Sequence, residues 1–531
     1  MAKKGPKVIL WILDGCNVDA FLQVAQTNPN LKTLYEGGYY TKCVTTFPST
    51  TPAAHAAILT GCYPTETRVP AFDWVNVEKL RWYERCFDLI FKKNDSWGET
   101  RNYIRSSPEI KYYRDENLGN QIKHLQNFIA DLEDALKLNT EYLNSKVATI
   151  FETLKDKYTV SVKEWIHRGA DDFFRVTLKV VLVELISEQI IDRETIHAEL
   201  EELVSEQIID RETIQTVLET SVGVDAFIQA VLDELVSARK RKLPDLMVYW
   251  EYSTDLISHI HGPGSTELRN SIDKSINKLV ATLKFYEKQN VQPYVMIIAD
   301  HSHSYVNEFS TLIQDFKKAM RNQGYQVAGR EDRSNRKRIT QADIIVANNE
   351  RAVLFYAFNG KTSKQATKKA IIDFLKSRSK TDVDLILYKN NKGQILVIQP
   401  PNTLPMNIAQ FIQAGNNTND FPCAKERIQG LLNGDNWGDV VISLKEGYSL
   451  HPSLNPEASS NEPIQGDHGG LNKNDSIVPF LIWGPTIKSN AKDADSSLSS
   501  IRIVDITPTI AGIFGEKHKP KDGHVLDKVF K

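Results

Sequence analysis

The sequence predicts an α/β fold built on a mostly parallel sheet buried on both faces, with two insertions. Three observations predict it: short apolar runs bounded by polar turns recur along the chain, helical patterns separate them, and three of the runs end at an aspartate. At 531 residues the chain is long enough for two or three domains. Hydrophobic residues at 41% and charged residues at 25% are ordinary for a globular chain. A formal net charge of −2 gives no drive toward nucleic acid or an anionic membrane surface.

The first strand is KVILWIL (7–13). Its apolar run is too short for a signal peptide, it ends at Asp14, and no small-residue cleavage site follows. Further strands are expected at YTVSVKEW (158–165), DLMVYWEY (245–252), YVMIIA (294–299), DVVISL (439–444) and VPFLIWG (478–484). Helices are expected at SKVATIFETLKDKY (145–158) and SIDKSINKLVATLKFYEKQ (271–289). The last helix is expected to start with Thr507 as its cap and Pro508 at the first helical position, and to stop near Gly515. No window approaches eighteen uninterrupted apolar residues, so no membrane span is expected. Five cysteines (Cys16, Cys43, Cys62, Cys86 and Cys423) are odd in number and form no paired motif, which argues against a disulfide framework. A cytoplasmic location is the expectation.

Two stretches break the alternation. Residues 177–240 read as helical and contain a repeat: ELISEQIIDRETI (184–196) returns as ELVSEQIIDRETI (202–214). The offset of eighteen residues is five helical turns, so a continuous helix would show one face twice. The favoured alternative is short stacked helices capped at Asp192 and Asp210. The carboxylates of the repeat read as a solvated face, with docking of a protein partner as the other reading. Residues 303–465 read as a small α+β cap, with a helix at 364–380 and a β-hairpin at 383–399 turning near Asn391–Gly393. The expected division is core at 1–95, 145–176, 241–302 and 466–531, a helical or cap segment at 96–144, and the insertions 177–240 and 303–465.

The chemistry gathers at strand ends. VILWILD ends at Asp14, LMVYWEYSTD at Asp255 and VMIIAD at Asp300. In open α/β sheets ligands bind beyond the carboxyl ends of strands. His259 follows Asp255 by four residues, His301 is adjacent to Asp300, and His468 sits in GDHGG just before VPFLIWG. Taken singly, each has a plain reading as a strand-end turn or loop polarity. Together, Asp14, Asp255, His259, Asp300, His301 and His468 supply six hard or borderline ligands, enough for two divalent metal ions with three protein ligands each and open positions for substrate. Two cations about 4 Å apart would stabilise an in-line displacement at phosphorus. FPSTTPAAHAAILTG (47–61) then acquires a use. Thr51 before Pro52 reads as a helix N-cap, the helix N-terminus favours an incoming phosphate, and a metal-bound hydroxyl there would be an activated nucleophile.

These segments resemble the type I phosphodiesterase/nucleotide pyrophosphatase group of the alkaline phosphatase superfamily. DGC (14–16), FPSTTPAAHAAILTGCYP (47–64), STDLISHIHGPGS (253–265), ADH (299–301), DHGG (467–470), VPFLIWGP (478–485) and DITPTIAGIFG (505–515) follow its motifs in order. The resemblance implies an alkaline phosphatase-like core and a two-metal site, usually zinc, with Mn2+ or Mg2+ as alternatives. It places the nucleophile on Thr51, with Ser49 and Thr50 in the loop before it. One metal would be held by Asp14, Thr51, Asp300 and His301, the other by Asp255, His259 and His468. The implied activity is hydrolysis of phosphodiester or pyrophosphate bonds in a small phosphorylated substrate such as a nucleotide, through a phosphothreonine that water hydrolyses.

The chain departs from the family pattern in places. Ser258 stands where relatives often have Gly, and TETRV (65–69) replaces their His-Gly. Phe72 holds the place of an Asn that donates to a phosphoryl oxygen, so the oxyanion donor is unassigned and the choice between diester and monoester stays open. Asp73 and Trp74 beside it are the candidate substrate-binding residues. Trp74 and Tyr63 lie where a base or other aromatic leaving group could stack, with ordinary core aromatics as the favoured reading, and Arg68 is a positional candidate for gripping a dianion. His55 is assigned to support or packing. His261 and His303 either hydrogen-bond neighbouring ligands or face solvent. The rival enzymatic readings are a phosphomonoesterase, phosphonate hydrolase or phosphotransferase on the same metals. A sulfatase lacks its Cys/Ser-x-Pro-x-Arg context here. A partner-binding protein with a vestigial site is opposed by retention of all six ligands and the nucleophile.

Overall fold

The computed structural model describes residues 5–76, 81–83, 138–164, 166–174, 243–329, 332, 336–378, 382–451, 464–489 and 501–531. The 18-residue repeat and nearly all of 96–144 lie outside them. The core elements in chain order are β1 (Val8–Leu13), β2 (Tyr39–Val44), α1 (Thr51–Thr60), β3 (Thr159–Val162), β4 (Asp172–Phe174), β5 (Leu246–Glu251), α2 (Ser253–His261), α3 (Thr266–Glu287), β6 (Tyr294–Ala299), β7 (Ile477–Trp483), β8 (Ile501–Arg502) and α4 (Ile506–Ile513).

Every residue of β1 and β5 is buried, as apolar runs without alternation require when both sheet faces are covered. The eight-stranded sheet runs β8-β2-β7-β6-β1-β5-β3-β4. Only β7 opposes its neighbours; the other pairings are parallel. The register fixes the site: Leu13 lies opposite Glu251 on one side and Ala299 on the other, so the chain leaves three neighbouring strands at one level. Helix α3 covers this part of the sheet. Its cap Ser265 accepts from the Leu268 amide, and the Trp11 indole N–H reaches across to Ser275 Oγ at 2.9 Å.

A second, seven-stranded sheet forms most of the cap, in the order 327–328, 344–349, 352–357, 440–444, 383–389, 395–398, 406–407. All of its pairings are antiparallel except the first. A three-stranded sheet of Gly447–Ser449, Ser304–Phe309 and Gly466–Asp467 returns the chain from the cap to the core.

Several elements differ from expectation. DVVISL forms a strand at Val440–Leu444, but in the cap sheet between two antiparallel neighbours. A run buried on both faces reads alike in either sheet. The helix expected over 145–158 shrinks to Ile150–Thr153, set by a Thr149/Glu152 capping box, because the chain must turn to enter β3 beside β5. Helix α4 begins one residue before Thr507, after a 3-10 turn at Ile503–Asp505. Thr507 therefore sits inside the helix, where its hydroxyl donates to the Ile58 carbonyl and ties α4 to α1. The helix at 364–380 and the hairpin at 383–399 fall close to their expected bounds. Among the described residues no helix is long and apolar enough to cross a membrane.

Candidate metal centre and nucleophile

The three hydroxyls before α1 have three different placements. Ser49 Oγ donates to the Gly470 carbonyl and accepts from the Gly469 amide, which fastens the GDHGG loop to this turn. Thr50, not Thr51, occupies the N-cap, and its side chain makes no capping bond. Thr51 is the first helical residue with Pro52 second, so its hydroxyl is not spent on the cap and lies 3.1 Å from His301 Nε2. The other end of α1 closes at Gly61, whose φ of 72° makes the left-handed turn that ends the helix.

Asp14 and Asp300 leave β1 and β6 side by side. Each carboxylate has one oxygen held by the protein: the Trp250 indole N–H donates to Asp14 Oδ2 at 2.8 Å, and the Gly15 amide to Asp300 Oδ1 at 3.1 Å. The opposite oxygens, Asp14 Oδ1 and Asp300 Oδ2, are buried with no hydrogen-bond partner among the described residues and lie 3.2 and 3.3 Å from His301 Nε2. Asp14, Asp300 and His301, with Thr51 beside them, form one set of converging donors.

The second set is Asp255, His259, His303 and His468. Asp255 lies in the first turn of α2 rather than at the end of β5, which places His259 one turn beyond it, with Nε2 3.5 Å from Asp255 Oδ2. His259 Nδ1–H donates to the Gly466 carbonyl and His468 Nδ1–H to the Ser49 carbonyl. Those bonds fix each tautomer and leave Nε2 as the free donor toward the centre. His303 is buried, and its Nε2–H donates to Asp255 Oδ1 at 2.7 Å. Sequence reasoning left His303 undecided between supporting a ligand and facing solvent. Its two-residue spacing from His301, which puts both side chains on one side of an extended segment, is the signal that finds it. His261 is exposed.

The two sets adjoin. The rings of His301 and His468 stack with centroids 3.8 Å apart, and His301 Nε2 is 3.8 Å from Asp255 Oδ1. The Asp255 side chain keeps 22% of its exposure while those of Asp300 and His301 keep none, so the centre opens to solvent on the Asp255 side.

The residues fit a pair of cations. Burial, then the neighbouring carboxylates of Asp300 and Asp255, push the Asp14 carboxyl well above its ordinary range and outweigh the opposing effect of His55, whereas, against burial, the His301 and His55 imidazoles hold Asp300 below its own. Burial and the surrounding imidazoles hold His468 and His303 well below theirs, which keeps them neutral, the form that ligates metal. The orphaned oxygens of Asp14 and Asp300 point the same way.

His55, one turn along α1, lies behind the first set. Its Nδ1 is 2.7 Å from Glu164 Oε1 and its Nε2 3.4 Å from Asp300 Oδ2. Asp73 and Trp74 are buried. Asp73 exchanges two backbone hydrogen bonds with the Asn349 side chain in the cap, and Trp74 meets the edge of Tyr142. Arg68 takes a left-handed conformation after the short helix Pro64–Thr67.

Residues 8–471 match the family described as type I phosphodiesterase/nucleotide pyrophosphatase. The fold is similar to murine ectonucleotide pyrophosphatase/phosphodiesterase 5 at 13% identity and a TM-score of 0.56, over 99% of this chain and 100% of that one. It is similar to the human ectonucleotide pyrophosphatase/phosphodiesterase 5 at 14% identity and 0.57, with the same coverage. Alkaline phosphatase PafA is similar at 16% identity and 0.61, over 100% of both chains. At these identities the likeness speaks to the fold. An inactive variant of the murine protein has been solved in complex with AMP. No curated protein matches the chain by sequence.

Proposed function

Because the chain belongs to the type I phosphodiesterase/nucleotide pyrophosphatase family of hydrolases, we propose that it is a two-metal enzyme that cleaves phosphodiester or pyrophosphate bonds through Thr51. The observation that carries this reading is the meeting of two adjoining donor sets with the Thr51 hydroxyl against one of them. Asp14, Asp300, His301 and Thr51 would hold the first ion. Asp255, His259 and His468 would hold the second, with His303 fixing the Asp255 carboxylate. Zinc suits this mixture of imidazole and carboxylate, with Mn2+ or Mg2+ as alternatives. Two such ions supply positive charge for the phosphoryl oxygens and lower the pKa of a coordinated hydroxyl.

The protein's own groups then perform the following steps. The uncapped N-terminus of α1 orients the phosphoryl group with its dipole. Thr51 Oγ1 bonds to phosphorus as the leaving alcohol or phosphate departs on the opposite side, giving a phosphothreonine. Water attacks that phosphorus, releases a phosphate monoester and restores the Thr51 hydroxyl. Water and substrate enter from the partly exposed Asp255 side.

A nucleotide is the favoured substrate, supported by the family and by the AMP complex of the murine relative. Asp73 and Trp74 remain the proposed substrate contacts on their position after the nucleophile helix. Among the described residues Cys16, Cys43, Cys62 and Cys423 stand as unpaired thiols, which supports a reducing, cytoplasmic location.

The test is hydrolysis of an aryl phosphodiester by zinc-loaded protein. Thr51→Ala is expected to lower turnover by about 10³-fold or more while the variant keeps the wild-type zinc content. Undiminished turnover in that variant contradicts the assignment of Thr51.

A further inference from the structure

Glu164 and His55 form a buried pair with no part in the steps above. Glu164 follows β3, and the residue that aims it, Lys163, has a φ of 62°, a left-handed conformation that a lysine adopts at a cost. That turn carries the carboxylate under the sheet to His55 Nδ1 at 2.7 Å, and the same oxygen also accepts from the Ile166 amide at 3.1 Å. Both side chains are fully buried. The far edge of the ring, Nε2, faces Asp300 Oδ2 at 3.4 Å, and the Trp250 ring meets His55 edge-on with centroids 5.5 Å apart. Trp250 is also the donor to Asp14 Oδ2. The two carboxylates of the first donor set are thus backed by one packed unit of Glu164, His55 and Trp250.

A buried carboxylate whose partners among the described residues are one imidazole and one amide is costly to keep, and a left-handed lysine adds to that cost. Packing alone would be served by an apolar side chain of similar volume. What the arrangement supplies instead is orientation. The Gly15 amide holds Asp300 Oδ1, and His55 Nε2, its ring fixed by Glu164, lies 3.4 Å from Oδ2, so the ring limits the room into which the carboxylate can rotate. Outer groups of this kind commonly set a metal ligand's orientation.

We propose that Glu164 and His55 are positioning residues for Asp300: they hold its carboxylate in the orientation that the first metal and the Thr51 hydroxyl require. This rests on the two-metal reading above.

The experiment measures zinc affinity at each site by chelator competition, together with kcat and KM on an aryl phosphodiester, for wild type, Glu164→Ala and Glu164→Gln. The glutamine retains an oxygen that accepts from His55 Nδ1–H; the alanine does not. Glu164→Ala is expected to weaken the first zinc by about 10- to 100-fold and to lower kcat with little change in KM. The second zinc should be held within about twofold, and Glu164→Gln should recover most of the loss. If Glu164→Ala fails to fold, Glu164→Asp, which withdraws the acceptor by one methylene, is read in its place. Wild-type affinity and kcat in Glu164→Ala overturn the proposal, as does equal weakening of both sites, which would mark general structural damage. If wild-type protein itself takes up no zinc, the two-metal reading fails, a result separate from any difference among the variants.

Discussion

Glu251 ends β5 with its carboxylate fully buried beneath α3. Lys278 Nζ donates to Oε2 at 2.8 Å and the Ser253 hydroxyl to Oε1 at 3.1 Å. Burial opposes the charged form, but Lys278 and Lys163 outweigh it and lower the carboxyl to about 2. A carboxylate whose folded-state pKa lies below the unfolded value of about 4.3 contributes stability above that pH and loses it as the pH falls toward 2. Lys278→Met should therefore destabilise the protein by about 3 kcal/mol at pH 7, because one partner of a buried pair is left behind. Urea unfolding at pH 7 and at pH 3 checks this: the gap between variant and wild type should narrow at the lower pH. At this scale the candidate ligands are legible in the sequence, because Asp14 and Asp300 sit at the ends of apolar runs and His301 and His468 sit in compact polar motifs. The contacts of His303, Glu164 and Ser49 are not, since each depends on a partner that is 48, 109 or 421 positions away.

Helix α1 is the element that carries Thr51, the proposed nucleophile, and it closes at Gly61. Gly61 takes a φ of 72°, and a Cβ there would lie 2.8 Å from Pro520 Cγ. Gly61→Ala adds left-handed strain of about 1 kcal/mol and a forced shift of the Pro520 segment worth about 1–3 kcal/mol. A lower melting temperature is the expected result, and an unchanged one would mean the turn relaxes freely. The element scale also shows where sequence patterns mislead. The long amphipathic pattern of α3 survives as Thr266–Glu287, with its apolar face buried and Ser275 in contact with Trp11 of β1. The pattern at 145–158 does not, because the next strand must begin at Thr159. Thr51 and Asp255 both moved by a position or a turn, from cap to first helical residue and from strand end to helix. Both shifts aim the side chain inward.

At the scale of the molecule, the cap and core are joined at the site itself. The turn at 349–351 between two cap strands reaches the GDHGG loop, where the Arg351 amide donates to the His468 carbonyl at 2.9 Å. The Arg351 guanidinium is fully buried and gathers Ser304, the Tyr305 and Tyr448 carbonyls and Asp475, the last at 2.6 Å. Gly469 has a φ of 101°, and a Cβ on it would lie 2.8 Å from the Asn349 carbonyl. Arg351→Met should cost about 3–5 kcal/mol by stranding the Asp475 carboxylate, and should weaken zinc at the His468 set before the Asp14 set. Isothermal titration with zinc separates the two sites. Such a joint between residues more than a hundred apart has no sequence signature, whereas the alternation of buried strands and helices that builds the core does.

The central claim is that six side chains from four segments of the chain, with Thr51, surround two cations. Anomalous X-ray scattering at the zinc edge, on crystals grown with zinc, tests it most directly. Two peaks about 4 Å apart are predicted, one among Asp14, Asp300, His301 and Thr51 and one among Asp255, His259 and His468. No peak at either place, or zinc bound only elsewhere, would contradict it.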